Sequence, residues 1–239
     1  MRNEALIYTH SNAPYGHFVL PFIYFALMAD ESYSVEVWAC DSDVHKSGVD
    51  WLNEEFGDRA LLVETNSARP NESRFRFPPR TRTAYTYISD IDILTLDPHI
   101  REWHVGNLDD RCFSNAIRKP ETWEKLPRLS GLMFVLTDEW YAATEQARRA
   151  EWEGSDEMVL AQIAFSVFPE SRAQLERKPW ARPVHGIHMS MQREPDGSPH
   201  WEITSRWIQA LKRMEKHKTW PEFWRMTSDK WKEQYKRIK

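Results

Sequence analysis

Cysteine is nearly absent from this 239-residue chain: Cys40 and Cys112 are the two that occur, and they form no CxxC pair. Two thiols cannot build a zinc cluster. One disulfide is the most they could make, and a reducing compartment, the cytoplasm, is the expected setting. Neither sign of charge is in large excess. Lys and Arg total 32 against 36 Asp and Glu, a formal net charge of -4. That balance excludes nucleic-acid binding by charge alone, and no nucleic-acid partner is expected. A long hydrophobic run is also missing. The longest, Phe18 to Met28, is interrupted by Pro21 and falls short of the ~20 apolar residues that span a bilayer. The N-terminal residues, Met-Arg-Asn-Glu before Ala5-Leu6-Ile7-Tyr8, lack the apolar core and cleavage site of a signal peptide. A soluble or peripheral protein is expected.

A hydrophobic fraction of 41% suits one α/β domain with room for a small C-terminal appendage. Ala5–Thr9 predicts a buried first strand ending in polar His10-Ser11-Asn12 and a Pro14-Tyr15-Gly16 turn. Phe18–Met28 reads as an apolar helix, Ser34–Ala39 as a strand, Val49–Phe56 as a short helix and Ala60–Glu64 as a third strand. This order predicts a mixed, mainly parallel sheet flanked by helices. Residues 66–83 are polar and rich in Arg and Pro, and lead into the strand Ala84–Ser89. Residues 97–127 read as irregular, broken by Pro98, Gly106, Pro120 and Pro127. Leu129–Leu136 is apolar again. A helix capped by Thr137 is expected to Arg149, then another over Ser155–Ser166, and a short strand or turn over Pro183–Met191.

The sharpest chemical signal is Tyr87-Ile88-Ser89-Asp90-Ile91-Asp92-Ile93-Leu94. Two carboxylates two residues apart at the end of a strand point the same way. One can ligate a divalent metal while the other holds a water or a ribose. Hard oxygen ligands suit Mg²⁺ or Mn²⁺ carrying a diphosphate. Ligands of open α/β sheets collect at the carboxyl ends of strands, where this pair falls. Two anions inside an apolar stretch are costly unless a cation joins them. A bare Asp-x-Asp is otherwise a common solvated strand end.

Other residues fit around that pair. His185 and His188 flank Gly186-Ile187, and neutral imidazole from a late strand could complete the metal shell. The alternative is a pair of structural histidines. Arg74, Arg76, Arg80 and Arg82 precede the acidic strand. A diphosphate needs such charge, and Arg74 and Arg76 are the chosen candidates. Ser130-Gly131, at the entry to a strand, would let a ligand approach the backbone. Asp156 and Glu157 open a helix; they serve as dipole partners, as acceptor-binding groups or as a general base.

Taken together, these residues resemble GT-A glycosyltransferases, and in particular the family 8-like group of bacterial lipopolysaccharide and capsule synthesis, over about residues 5–190. The resemblance rests on the order Thr9-His10-Ser11, Arg74 to Arg76, Asp90 and Asp92, Ser130-Gly131, Asp156, and a late His. It implies a GT-A, Rossmann-like fold over 1–200, with a helical extension over 201–239. It implies that Thr9, His10 and Ser11 contact the nucleotide base, that Asp90 and Asp92 bind metal and diphosphate, and that the late His completes the metal shell. Ser130, Gly131 and the acidic helix start would line the acceptor side. The implied reaction moves a sugar from a nucleotide diphosphate to a glycan or glycolipid hydroxyl, with Mn²⁺ or Mg²⁺ as cofactor. The chain departs from the family pattern in that Lys178-Pro179-Trp180 precedes His185, and in carrying Leu129-Ser130-Gly131 and Asp156-Glu157.

From Arg206 onward, bases outnumber acids and are interleaved with Trp207, Trp220, Phe223, Trp224, Trp231 and Tyr235. Trp224, Trp231, Tyr235 and Ile238 are spaced to share one helix face. Such a face reads as a membrane-surface segment at the inner leaflet, or as an apolar face docked on the core. Two further functions compete. A nucleotidyltransferase would want a Gly- and Lys-rich phosphate loop, and Thr9–Gly16 contains no Lys. A non-catalytic relative would use the tail as a binding arm.

Overall fold

A computed structural model of the protein describes residues 5–67, 69–108, 111–118, 128–177, 185–189 and 203–238. Lys178-Pro179-Trp180, Pro120, Pro127, Pro183 and the domain boundary expected at residue 200 lie outside the described residues. In chain order the elements are β1 (Ala5–Ser11), a 3₁₀ turn (Ala13–Phe18), α1 (Val19–Ala29), β2 (Tyr33–Ala39), α2 (Ser42–Phe56), β3 (Ala60–Glu64), α3 (Pro70–Arg76), β4 (Tyr85–Ile88) and β5 (Ile93–Thr95). There follow α4 (Ile100–Val105), β6 (Phe113–Ser114), β7 (Ile117–Arg118), β8 (Arg128–Leu129), β9 (Met133–Leu136), α5 (Thr137–Ala143) and α6 (Glu145–Arg149). The last are α7 (Asp156–Val167), α8 (Pro169–Arg177), β10 (Gly186–His188), α9 (Ser205–Met214), α10 (Trp220–Met226) and α11 (Asp229–Arg237).

The chain divides into two compact units. One comprises Met1–His10, Ser67–Asp90 and His99–Pro183; the other comprises Ser11–Asn66, Ile91–Pro98 and Val184–Lys239. In the first unit β1, β4, β9 and β6 pair in that order, and in the second β2 pairs with β3. The sheet structure is mixed and mainly parallel: β1 runs parallel to β4 and β2 parallel to β3, while β9 is antiparallel to β4 and β6. All seven residues of β1 are buried, as expected of a strand covered on both faces.

In the first unit, α3 forms inside the polar, Arg- and Pro-rich stretch 66–83, and α4 forms inside the stretch 97–127 that was expected to be irregular. Pro70 supplies a favourable first turn, and Glu72 is paired with Arg76 one helical turn on. The expected helix over 137–149 is broken at Thr144 into α5 and α6, because Thr144 turns its hydroxyl back onto the Trp140 carbonyl at 2.7 Å. Thr137 does not cap α5. It is buried, and its hydroxyl lies 2.9 Å from that of Thr86.

In the second unit, α1 is the central helix. Val19 to Leu27 are all buried, which explains why the apolar run carries no amphipathic stripe. It packs on β2, β5 and α2. Its Tyr24 stacks on Phe223 of α10, with centroids 3.8 Å apart and planes 10° from parallel, and the Tyr24 hydroxyl lies 3.1 Å from that of Thr219. Burial raises the Tyr24 phenol to about 12, although the Thr219 bond works against it. Phe25 of α1 meets Trp231 and Tyr235 of α11, both fully buried. The apolar face of the tail is therefore docked inside this unit. Among the described residues, no helix is long and apolar enough to cross a membrane. Cys40 and Cys112 are both free thiols.

Candidate metal centre

β4 ends at Ile88, and the chain passes through Ser89, Asp90, Ile91 and Asp92 before β5 begins at Ile93. The Ser89 amide continues the ladder, donating to Tyr8 at 2.9 Å. Thr9 fixes the same point from its side chain, donating to the Ser89 carbonyl at 2.8 Å. The acidic pair thus begins where two parallel strands finish together.

Arg74 organises the acids of the first unit. It is 5% exposed. Its Nη1 lies 2.5 Å from Asp90 Oδ1 and donates to the Ser89 carbonyl at 3.0 Å. Its Nη2 donates to Asp156 Oδ2 at 3.2 Å. Asp156 is the first residue of α7, so one guanidinium joins a strand end to a helix start. Gly131 is required there. A Cβ at that position would lie 2.8 Å from Arg74 Nη2 and 3.2 Å from Asp90 Oδ1. Asn115 holds the neighbouring backbone, accepting from the Ser130 amide at 2.9 Å and donating to its carbonyl at 3.1 Å. Ser130 Oγ accepts from the Leu132 amide at 3.2 Å.

His10, at the end of β1, is 2% exposed. Burial, with a smaller contribution from the Arg74 charge, pushes its pKa down to about 3, so the ring is neutral at pH 7. Tyr8 donates to the Phe77 carbonyl at 3.0 Å. Its oxygen is then left to accept from His10 Nε2, 2.6 Å away, which assigns the proton to that nitrogen.

In the second unit, β10 pairs antiparallel with β5 and sets His188 opposite Ile93. The Met189 amide donates to the Asp92 carbonyl at 2.7 Å. His188 Nε2 lies 3.6 Å from Asp92 Oδ1, with both side chains buried. One residue separates Asp92 from Asp90 in the chain. Asp92 and His188 thus offer a carboxylate oxygen and an imidazole nitrogen to one point of the second unit. Such a pair fits a small divalent cation, and the nitrogen donor favours Mn²⁺ over Mg²⁺.

The remaining expected site residues are placed as follows. Arg76 turns away from Asp90: it pairs with Glu72, and its Nη1 donates to the carbonyls of Arg148 and Ala150 at 2.9 and 2.7 Å. His185 Nδ1 lies 2.9 Å from Asp97 Oδ2. Ser11 Oγ donates to the Asn12 carbonyl at 3.3 Å. Glu157 follows Asp156 in the first turn of α7. Asn115 and Asp97 were not anticipated. Each serves backbone or side-chain partners distant in sequence, and neither sits in a recognisable motif.

No protein-family model and no curated protein matches the chain. Solved structures do. The apo form of the glycosyltransferase GlyE of Streptococcus pneumoniae TIGR4 superposes with a TM-score of 0.55 at 9% identity, covering 92% of this chain and 62% of GlyE. An active-site mutant of LgtC gives 0.56 at 12% identity, covering 94% and 100% of the two chains. The bifunctional glycosyltransferase WbbM in its apo form gives 0.54 at 11% identity, covering 95% and 52%. The chain thus spans about 62% of the length of GlyE. These similarities show the fold: the chain has the GT-A architecture expected from its sequence.

Proposed function

We propose that the protein is a metal-dependent glycosyltransferase that moves a sugar, a hexose, from a nucleotide diphosphate to an acceptor hydroxyl. The observation that carries this reading is the buried Asp92–His188 pair, with His188 Nε2 3.6 Å from Asp92 Oδ1, in a chain that carries a second acid, Asp90, two positions before Asp92. When bound, the divalent cation would stabilise charge on the departing diphosphate.

The chain's own residues do the rest. Arg74 holds Asp90 in place at 2.5 Å and adds positive charge beside the diphosphate. Gly131 leaves room beside that guanidinium where any side chain would collide. Asp156, tethered by Arg74, and Glu157 stand at a helix start, suited to orient an acceptor hydroxyl or take its proton. Thr9, neutral His10 and Ser11 at the end of β1 are assigned to the nucleotide base. Arg76, paired with Glu72 and bound to the Arg148 and Ala150 carbonyls, ties α3 to the end of α6.

The wider setting is likewise a proposal: hexosyl transfer in surface polysaccharide, lipopolysaccharide or glycolipid synthesis, in the cytoplasm at the inner face of the membrane. Two free cysteines agree with a reducing compartment. Trp207, Phe223, Trp231 and Tyr235 of the tail are buried and Trp220 and Trp224 half-buried, but Lys212, Arg213, Lys216, Lys218, Arg225 and Lys230 are exposed. Attraction to anionic lipid would therefore be electrostatic and weakened by salt. Flotation with acidic vesicles at low and high salt tests it; protein that stays unbound at low salt rules it out.

The activity is tested by isothermal titration of nucleotide sugars with and without Mn²⁺. Binding should require Mn²⁺ and disappear in Asp92→Ala and His188→Ala proteins that keep the wild-type circular dichroism. Binding that is indifferent to Mn²⁺ and to both substitutions would sink the proposal. Pyrophosphate release from a nucleoside triphosphate would favour nucleotidyl transfer instead.

A further inference from the structure

The strand bearing His188 is very short. β10 has three residues, and so small a ladder cannot fix its own register. A slip of one residue would turn His188 to the opposite face, away from Asp92. Something at the ends of the strand must hold it.

Asp97 does so beyond the far end of β5. It is 6% exposed. Its Oδ2 takes the His185 Nδ1 bond at 2.9 Å, and its Oδ1 accepts from Arg206 Nη2 at 2.8 Å. The backbone is engaged as well. The amides of Leu96 and Asp97 both donate to the His185 carbonyl, at 2.9 and 3.3 Å, and Tyr33 donates to the Asp97 carbonyl at 3.0 Å. Between this knot and His188 sits Gly186, where a Cβ would lie 1.7 Å from the Leu94 carbonyl oxygen. Only glycine permits that approach, so the strand fits in one alignment.

We propose that Asp97 is a positioning residue: gripped by His185 and by Arg206 of α9, it sets the register of β10 and so presents His188 to the cation held by Asp92. Cation affinity then depends on a residue of the C-terminal helices that never touches the ion. The link to affinity rests on the metal reading above. The register itself does not. A buried carboxylate with two hydrogen-bonded partners orients what it holds much as the outer partners of metal ligands do, whose loss typically weakens affinity by about 10–100-fold.

The test uses the full chain and Mn²⁺ alone, with affinity read by electron paramagnetic resonance and Met189 amide protection read by hydrogen exchange. Asp97→Ala should weaken Mn²⁺ binding by about tenfold or more and speed Met189 exchange. Arg206→Ala, at a side chain 60% exposed and thus tolerant of substitution, should do the same to a smaller degree, with partial recovery in Arg206→Lys. A purely structural role would lower thermal stability while leaving metal affinity and Met189 protection at the wild-type level well below the transition; that result overturns the proposal. If Asp92→Ala abolishes binding but both clamp variants bind normally, the clamp alone fails. If the wild type binds no Mn²⁺, the metal reading fails and the claimed link to affinity goes with it.

Discussion

Replacing Arg74 by Met removes the guanidinium that joins Asp90 to Asp156 while keeping most of the aliphatic bulk. The side chain is 6% exposed, and its two acidic partners are 22% and 26% exposed. Breaking a buried ion pair by deleting one partner costs about 3–5 kcal/mol. Water can partly resolvate carboxylates that are about a quarter open, so the loss here should be about 2–3 kcal/mol. For a chain of this size that lowers Tm by about 5–10 °C. Urea unfolding at pH 7, followed by circular dichroism, measures it. The double cycle with Asp156→Asn isolates one arm of the bridge and should give a coupling energy of about 1–2 kcal/mol. Mn²⁺ should recover part of the lost stability, because a ligand that prefers the folded acids stabilises them by mass action. A loss under about 1 kcal/mol, or strictly additive substitutions, would refute the view that Arg74 organises these acids.

Three further outcomes are expected. Gly131→Ala puts a methyl 2.8 Å from Arg74 Nη2; overpacking of about 1–3 kcal/mol should appear in urea unfolding, with weaker nucleotide-sugar binding in titration calorimetry. His10 is held neutral by burial, its pKa near 3 against an ordinary 6.5. Its contribution is complete above pH 6.5 and is lost as pH falls toward 3, at about 1.4 kcal/mol per pH unit. Between pH 6.5 and 5, His10→Asn should therefore lose about 2 kcal/mol less stability than the wild type, as read by parallel urea titrations. Trp231→Ala empties a fully buried site between Phe25, Phe223 and Tyr235; a loss of about 3–5 kcal/mol is expected, seen as a lower thermal midpoint.

What could be read from the sequence followed from strong periodicity and from chemistry compressed into a few consecutive residues. β1, β2, β3 and β4 stand within two residues of where apolar runs and Val-rich alternation put them. The GT-A architecture followed from their order around Asp90-Ile91-Asp92. α3 was hidden because its Arg- and Pro-rich composition looks like a loop, although Pro opens helices and Glu72 pairs with Arg76. β2 looks half-exposed by alternation, yet Glu36 is fully buried and accepts from Trp38 Nε1 at 2.6 Å. A side-chain bond replaces the water that a polar strand face would otherwise need.

The site was legible in the same uneven way. Arg74 and Asp156 are 82 residues apart, yet both were singled out, since a diphosphate site wants a base and an acid helix start near its metal; the 3.2 Å bond between them was not foreseeable. Spacing alone could not separate His185 from His188. His188 ends β10 and His185 precedes it, and the register with β5 sets His188 near Asp92 and His185 on Asp97. Asn115 and Asp97 were invisible, because backbone-holding polar residues carry no local signature. The tail showed its amphipathic face plainly, but α1, the helix that it covers, lies about 200 residues earlier.

That separation has a consequence for biogenesis. The unit that carries Asp92 is stitched from the early segment Ser11–Asn66, the middle segment Ile91–Pro98 and the late segment Val184–Lys239. During translation, the first two wait while the intervening chain is made. His188 and then Arg206 emerge only after that, and α10 and α11 after them. A polypeptide released before these elements would display the naked apolar surface of α1 and lack His188 and its clamp, so such copies would be easily recognised for disposal.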